Sequence, residues 1–207
     1  MSYRTEDDCQ WHNGRTDVRE GWLPIRWIEY CNRKAMEGSK FCILHAPIEE
    51  KEDRIEEFWD VFEEHINSEK EIIDCRGIEF PPLEDRLSKR EYEPILIFDD
   101  AVFNGLANFY GAIFNKKSVF RNVTFKETAK FRKATFKEGA TFEKSVFLGR
   151  ADFTGSIFIE DAFFSGTSFC EKAEFIRTEF RGVTYFEGTN TKENLFFTNS
   201  RIGITLY

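Results

Sequence analysis

What this chain of 207 residues lacks narrows its possible chemistry at once. No uncharged apolar run approaches the length needed to cross a membrane, so no membrane partner is expected. The first thirty residues lack the apolar core of an export signal, which points to the cytoplasm. Histidine is scarce, three in all, and none follows His65. The long stretch beyond it offers no imidazole base and no recognisable nucleophile beside another base, so an enzyme is not expected. Five cysteines, an odd number without an export signal, argue against a disulfide framework and for a metal site or free thiols.

An acidic surplus is also missing where the chain is most regular. Residues 1–93 carry 14 Lys and Arg against 24 Asp and Glu, while residues 94–207 carry 15 against 13. Residues 115–150 hold ten Lys and Arg and three Glu.

What the chain has in abundance is phenylalanine, 24 in all, and from Phe98 to Phe186 it returns at gaps of five and six in strict alternation. Two residues before each Phe of this series stands a small or β-branched residue, from Ala101 to Thr184, with the larger Leu96 at the start. Self-similarity of this kind means that each unit buries its apolar face against its neighbours. An eleven-residue period can also belong to a helical supercoil. On a helix, however, a step of five turns the side chain about 140° and would split the Phe set over two faces. The wealth of Phe, Thr and Val, punctuated by Gly105, Gly111, Gly139, Gly149, Gly155 and Gly166, belongs to strands and corners. In extended chain, residues two apart share a face, so each Phe and the small residue before it point inward together. Four sides of five, six, five and six make a coil of 22 residues, with Phe98, Phe120, Phe142, Phe164 and Phe186 stacked in one column.

The triplets Ala101-Val102-Phe103, Ala107-Asn108-Phe109, Ala112-Ile113-Phe114, Ala134-Thr135-Phe136 and Ala151-Asp152-Phe153 resemble those of pentapeptide-repeat proteins. That resemblance implies a right-handed quadrilateral β-helix, a solenoid, over residues 95–207. The chain departs from a strict five-residue register, because every second side carries one extra residue, as in Lys137–Phe142. One type of corner should bulge to hold it. Cys75 and Phe80, with Ile73 and Ile78 two before each, read as an atypical first half coil, followed by an excursion to Pro94; together these make residues 71–94. Beyond Phe186 the expected centres are Thr191, Phe197 and Ile202. An end coil so filled should expose apolar surface and backbone; the tail can fold across its own last coil as a self-cap, and the favoured expectation is that two chains pair through their C-terminal coils as a homodimer.

Residues 1–47 are of another kind. Cys42 and His45 can reach one ion from a single turn, Cys31 lies across Gly38 and Ser39, and Cys9 would complete a three-thiolate, one-imidazole tetrahedron typical of structural zinc. His12 is the substitute for Cys9. The segment from Tyr30 to His45 resembles small zinc knuckles, although the interval from Cys9 to Cys31 is longer than theirs. Trp11, Trp22 and Trp27 are expected to pack around it. Ile55, Phe58, Trp59, Phe62 and Ile66 then recur at three and four within a helix over 48–70, which is read as a cap.

Together these features favour a non-catalytic scaffold for an unknown protein partner. Some proteins resembling this one modulate the topoisomerase DNA gyrase by imitating duplex DNA, and that is the alternative, but it asks for an acidic rod. Direct nucleic-acid binding is not expected either. At one coil on, Lys116 lies over Glu138, Arg121 over Glu143 and Lys130 over Asp152. Lys126, Arg132, Lys133, Lys137, Lys144 and Arg150 have no acidic neighbour one coil on, and are the candidates for polyanion binding.

Overall fold

The computed structural model describes residues 31–206 apart from positions 32, 83, 84 and 194, with side chains up to Arg201. The chain divides into two compact units, residues 1–64 and 65–207. In the second, two-residue strands recur from corner to corner and pair in parallel with the strand one coil on. Ala129–Lys130, for example, pairs with Ala107–Asn108 on one side and Ala151–Asp152 on the other, steps of 22 residues in both directions. The result is a β-solenoid of about six turns with four strand columns.

Its core is the expected aromatic lattice. Phe120 stacks on Phe98 at 4.8 Å and on Phe142 at 4.9 Å, with rings nearly parallel, while rings of adjacent columns meet edge to face, as Phe120 meets Phe131 at 5.6 Å. These phenylalanines and the small residues beside them are fully buried. Phe80 continues one column on Phe103, Tyr92 continues another on Phe114, and buried Cys75 stands in the first half coil. The excursion after Phe80 therefore rejoins the coil at Tyr92, ahead of Pro94. At the other end Thr191 is in register with Phe169 and Ile202 with Phe180, and Phe197 stacks on Phe175 at 5.0 Å.

Two corners alternate. In the first, the Phe carbonyl accepts the amide three residues on, as Phe131 O does from Ala134 N at 3.0 Å. The residue before that amide has positive φ, and such residues recur every eleven positions: Asp100, Gly111, Asn122, Lys133, Lys144, Gly155, Gly166, Arg177, Gly188 and Asn199. These are tight turns and fill the five-residue gaps. The second corner is a bend in the six-residue gap, where the extra residue lies. At Gly149 in such a bend, a Cβ would sit 2.6 Å from the carbonyl carbon of Glu127 on the preceding coil.

Tight turns also bury hydroxyls. Thr167 Oγ1 donates to Phe142 O at 2.8 Å, Thr178 Oγ1 to Phe153 O at 2.8 Å and Thr189 Oγ1 to Phe164 O at 3.1 Å, each reaching one coil back. Ser145 and Ser200 bond Phe120 O and Phe175 O in the same way. A Ser or Thr in this place costs the core little, because its hydroxyl is satisfied.

The expected helix over 48–70 is shorter in the structure. Two 3-10 turns, Ile48–Glu50 and Glu52–Arg54, precede the α-helix proper, α1, at Ile55–Ile66. Lys51 breaks the run: its backbone leaves helical geometry and its side chain turns inward to bind the carbonyls of Ile43 and Leu44. Phe58, Trp59, Phe62 and Ile66 are buried, while Glu56, Glu57, Asp60 and Glu64 are exposed on the opposite side. His65 Nε2 lies 2.7 Å from Asp74 O, a packing role. Among the described residues no helix is long and apolar enough to cross a membrane.

Candidate metal centre and charged surface

The metal-binding expectation rests on a loop and one helical turn. Gly38, with φ of 77°, lets the chain reverse between Met36 and Phe41, whose backbones bond at 2.9 Å, and Phe41 N is held by Ser39 Oγ at 3.0 Å. Cys42 O then accepts His45 N at 3.0 Å and Ala46 N at 2.9 Å, which places the Cys42 and His45 side chains next to each other. Lys51, fully buried, ties this turn down through Ile43 O at 3.3 Å and Leu44 O at 3.1 Å, with its ammonium 4.7 Å from the centre of the Phe58 ring. Nothing in the sequence pattern distinguished Lys51 from the solvated charges around it.

Cys31, Cys42 and His45 come together here, their ligand atoms all within 4.8 Å of one another. Cys31 Sγ lies 3.7 Å from Cys42 Sγ, and Cys42 Sγ lies 3.4 Å from His45 Nδ1. A tetrahedral zinc ion with bonds of about 2.3 Å to sulfur and about 2.0 Å to nitrogen requires separations of about 3.8 Å and about 3.5 Å. The observed pair of distances fits that ion and is far too long for a disulfide, about 2.05 Å. Cys9 and His12, the two candidates for the fourth ligand, lie outside the described residues, as do Trp11, Trp22 and Trp27.

Two cysteines stay apart from this cluster. Cys75 is fully buried, and burial, with the Asp74 charge beside it, pushes its thiol well above the ordinary range. Cys170 is partly exposed at a bend. A cavity of about 270 Å³ is bounded by Ile66, Ser68, Arg90, Tyr92, Pro94 and the carboxylates of Glu91 and Glu93.

The outward charges sort themselves differently from a simple one-coil step. Lys116 meets Glu138 at 3.1 Å as expected. Arg121 turns the other way, to Asp99 at 2.5 Å rather than to Glu143. Two of the six polyanion candidates are neutralised: Arg150 pairs with Glu174 and with Asp152 at 3.2 Å, and Lys137 lies 3.8 Å from Glu91. A long side chain reaches two residues past its register partner, or two coils away, which the one-coil rule did not allow for. Glu174 also takes Lys172 at 2.5 Å; burial pushes its carboxyl up, but the hydrogen bonds and charges of Lys172 and Arg150 outweigh burial and hold it below the ordinary value. Lys130, in register with Asp152, makes no ion pair, because Asp152 already serves Arg150 and the Thr154 amide at 2.9 Å.

Residues 98–146, 120–168 and 142–190 each match the family model described as pentapeptide repeats in nine copies, and the windows step by 22 residues, the length of one coil. This part of the chain belongs to the pentapeptide-repeat family. Comparison with curated proteins and with solved structures found no match.

Proposed function

We propose that the chain is a non-catalytic interaction scaffold in which a pentapeptide-repeat solenoid presents partner-binding residues and a structural zinc site holds the N-terminal unit. The observation that supports it most is the division of labour along each coil: side chains fill the interior completely, so chemistry is left to the outward positions. Those positions carry charged side chains, some of them paired as Lys116–Glu138, Arg121–Asp99 and Arg150–Glu174, on a repeating backbone lattice, a surface suited to recognition. Affinity purification of the tagged chain from its native organism, with cross-linking before lysis, tests this reading. A recurrent protein partner supports it; turnover of a small molecule by the purified chain overturns it.

For zinc, Cys31, Cys42 and His45 supply two thiolates and an imidazole, and the ion would stabilise the fold around them. Elemental analysis of protein purified without added metal should give about one zinc per chain. Cys42→Ser should lose it, and a wild-type ratio near zero with the N-terminal unit folded refutes the site.

The alternative, imitation of DNA toward a gyrase-type topoisomerase, draws no support from the charge of the rod, whose exposed cations outnumber its carboxylates over residues 115–150. Stoichiometric inhibition of supercoiling by the purified protein would reverse that judgement.

A further inference from the structure

One turn of the solenoid differs from the rest in its charge. Lys126, Lys130, Arg132 and Lys133 lie along a single coil, three of them exposed and Lys130 half-buried, and among the described residues none makes an ion pair. Several cations around the row are matched to a carboxylate: Arg121 at the start of the same coil, and Arg150 and Lys172 on the coils that follow. From residue 126 to 133 the one opposing charge is Glu127.

The row is held in place before any partner arrives. Lys130 is fixed in a strand between Asn108 and Asp152, and Lys133 in the left-handed position of a tight turn, where the coils on either side use Gly111 and Gly155. Tyr110, on the preceding coil, has the Lys133 ammonium 5.8 Å from its ring centre and that of Lys89 at the same distance. An anion meeting this row therefore finds cations mounted on a backbone that is already ordered, which lowers the cost of binding.

We propose that this row is the docking surface for an acidic segment of a partner protein, laid across coil 120–141. The assignment rests on the scaffold reading and names the chemistry of its partner. Charge complementarity supplies the attraction, and the extent of the row chooses the ligand. The row is one coil wide, and with coils about 5 Å apart its field fades within a Debye length of roughly 8–10 Å. A short acidic peptide senses that field alone. A nucleic acid extends beyond it onto coils where Arg150 and Lys172 are already neutralised by carboxylates.

A labelled peptide in which Glu alternates with Ser, and a labelled oligothymidylate of equal charge, are titrated with the full-length chain by fluorescence anisotropy at low salt. The peptide should bind more tightly than the oligonucleotide, and binding should weaken steeply as salt is raised. Arg132→Glu with Lys133→Glu should weaken it by roughly tenfold, the corresponding double Gln variant by less, and Lys192→Glu, away from the row, not at all. Because Arg132 and Lys133 are exposed, unchanged thermal unfolding is expected of both double variants. No peptide binding, equal binding by the double Glu variant, preference for the oligonucleotide, or self-association of the chain through this row each overturns the proposal. Partner capture separates it from the scaffold reading: a native partner retained by the double Glu variant refutes the row alone, whereas absence of any partner for either protein refutes both.

Discussion

Thr184 and Thr167 lie in the same coil, both fully buried, and should respond to the same substitution with opposite signs. Thr167 Oγ1 donates to Phe142 O at 2.8 Å, whereas Thr184 Oγ1 has no hydrogen-bond partner. The difference follows from the corner each one leaves. Thr167 comes out of a tight turn, where the Phe carbonyl one coil back faces its hydroxyl; Thr184 lies past a six-residue corner that runs within the continuous strand Glu179–Tyr185, which pairs irregularly with Arg201–Leu206. Valine has nearly the same shape as threonine without the hydroxyl. At position 184 it removes an unpaired buried polar group, which costs about 1–3 kcal/mol, so Thr184→Val should gain on the order of 1 kcal/mol. At position 167 it removes a made hydrogen bond of net worth about 0.5–1.5 kcal/mol. The loss belongs at the low end, since Phe142 O keeps the Ser145 amide at 3.1 Å. Urea unfolding followed by circular dichroism reads both, as a rise in midpoint for Thr184→Val and a fall for Thr167→Val. The shared coil means that both report on the same unfolding segment even if the solenoid does not unfold in one step. Shifts of the same sign would refute the argument, since side-chain volume and β-propensity would then outweigh hydroxyl pairing.

Glu174 is held below its ordinary pKa, so its contribution to stability is present above the unfolded-state value and is lost as pH falls through the folded one. Glu174→Gln should therefore lower the melting temperature at neutral pH and flatten its decline on acidification; parallel curves for the two proteins would refute this. Gly149→Ala should destabilise the solenoid by about 1–3 kcal/mol, because the new methyl meets backbone of the preceding coil at 2.6 Å and neither side can give way; a midpoint unchanged in urea would show that the bend can open. Pairing of two chains through the C-terminal coils predicts a dimer by light scattering and a monomer or aggregate for a version ending at Arg201; a full-length monomer at high concentration removes the proposal.

Much of the solenoid could be read from residue type, because its interior admits few answers. Side chains pointing into a coil this narrow are Phe or small through most of the solenoid, and the alternation therefore shows through at Phe98–Phe186 and, where the filling changes, at Cys75, while Thr191 and Ile202 keep the register. The corners were harder. Gly111, Gly155, Gly166 and Gly188 announce a left-handed turn, but Asp100, Lys133, Lys144 and Arg177 occupy the same backbone geometry with side chains that conceal it. There the conformation is imposed by the coils above and below rather than by local preference, at a cost of about 1–2 kcal/mol per residue. The candidate metal-ligand cluster was half visible: Cys42 and His45 stand one turn apart, yet the approach of Cys31 to 3.7 Å depends on the Met36–Phe41 loop, and the support from buried Lys51 depends on tertiary structure. Ion pairing was least legible, since Arg121 and Arg150 each had several carboxylates within the reach of a flexible side chain.

That contrast between interior and exterior bears on how such a rod can acquire a function. Register comes from the Phe columns and the backbone ladders, which every coil repeats, so the outward residues are released from any part in specifying the fold. Substituting one of them should change stability by only tenths of a kcal/mol to about 1 kcal/mol, the range for exposed pairs and cross-strand contacts. The exceptions include the buried outward carboxylates Asp99, Asp152 and Glu174, each tied to an arginine or a backbone amide of its own or an adjacent coil. Stability on the surface is thus concentrated at a few anchored carboxylates, and a coil whose cations lack such anchors is where binding chemistry can be carried without disturbing the fold. Coil 120–141 meets that condition from residue 126 to 133, where Lys126, Lys130, Arg132 and Lys133 make no ion pair among the described residues, while Arg121 and Lys137 on either side of them are paired.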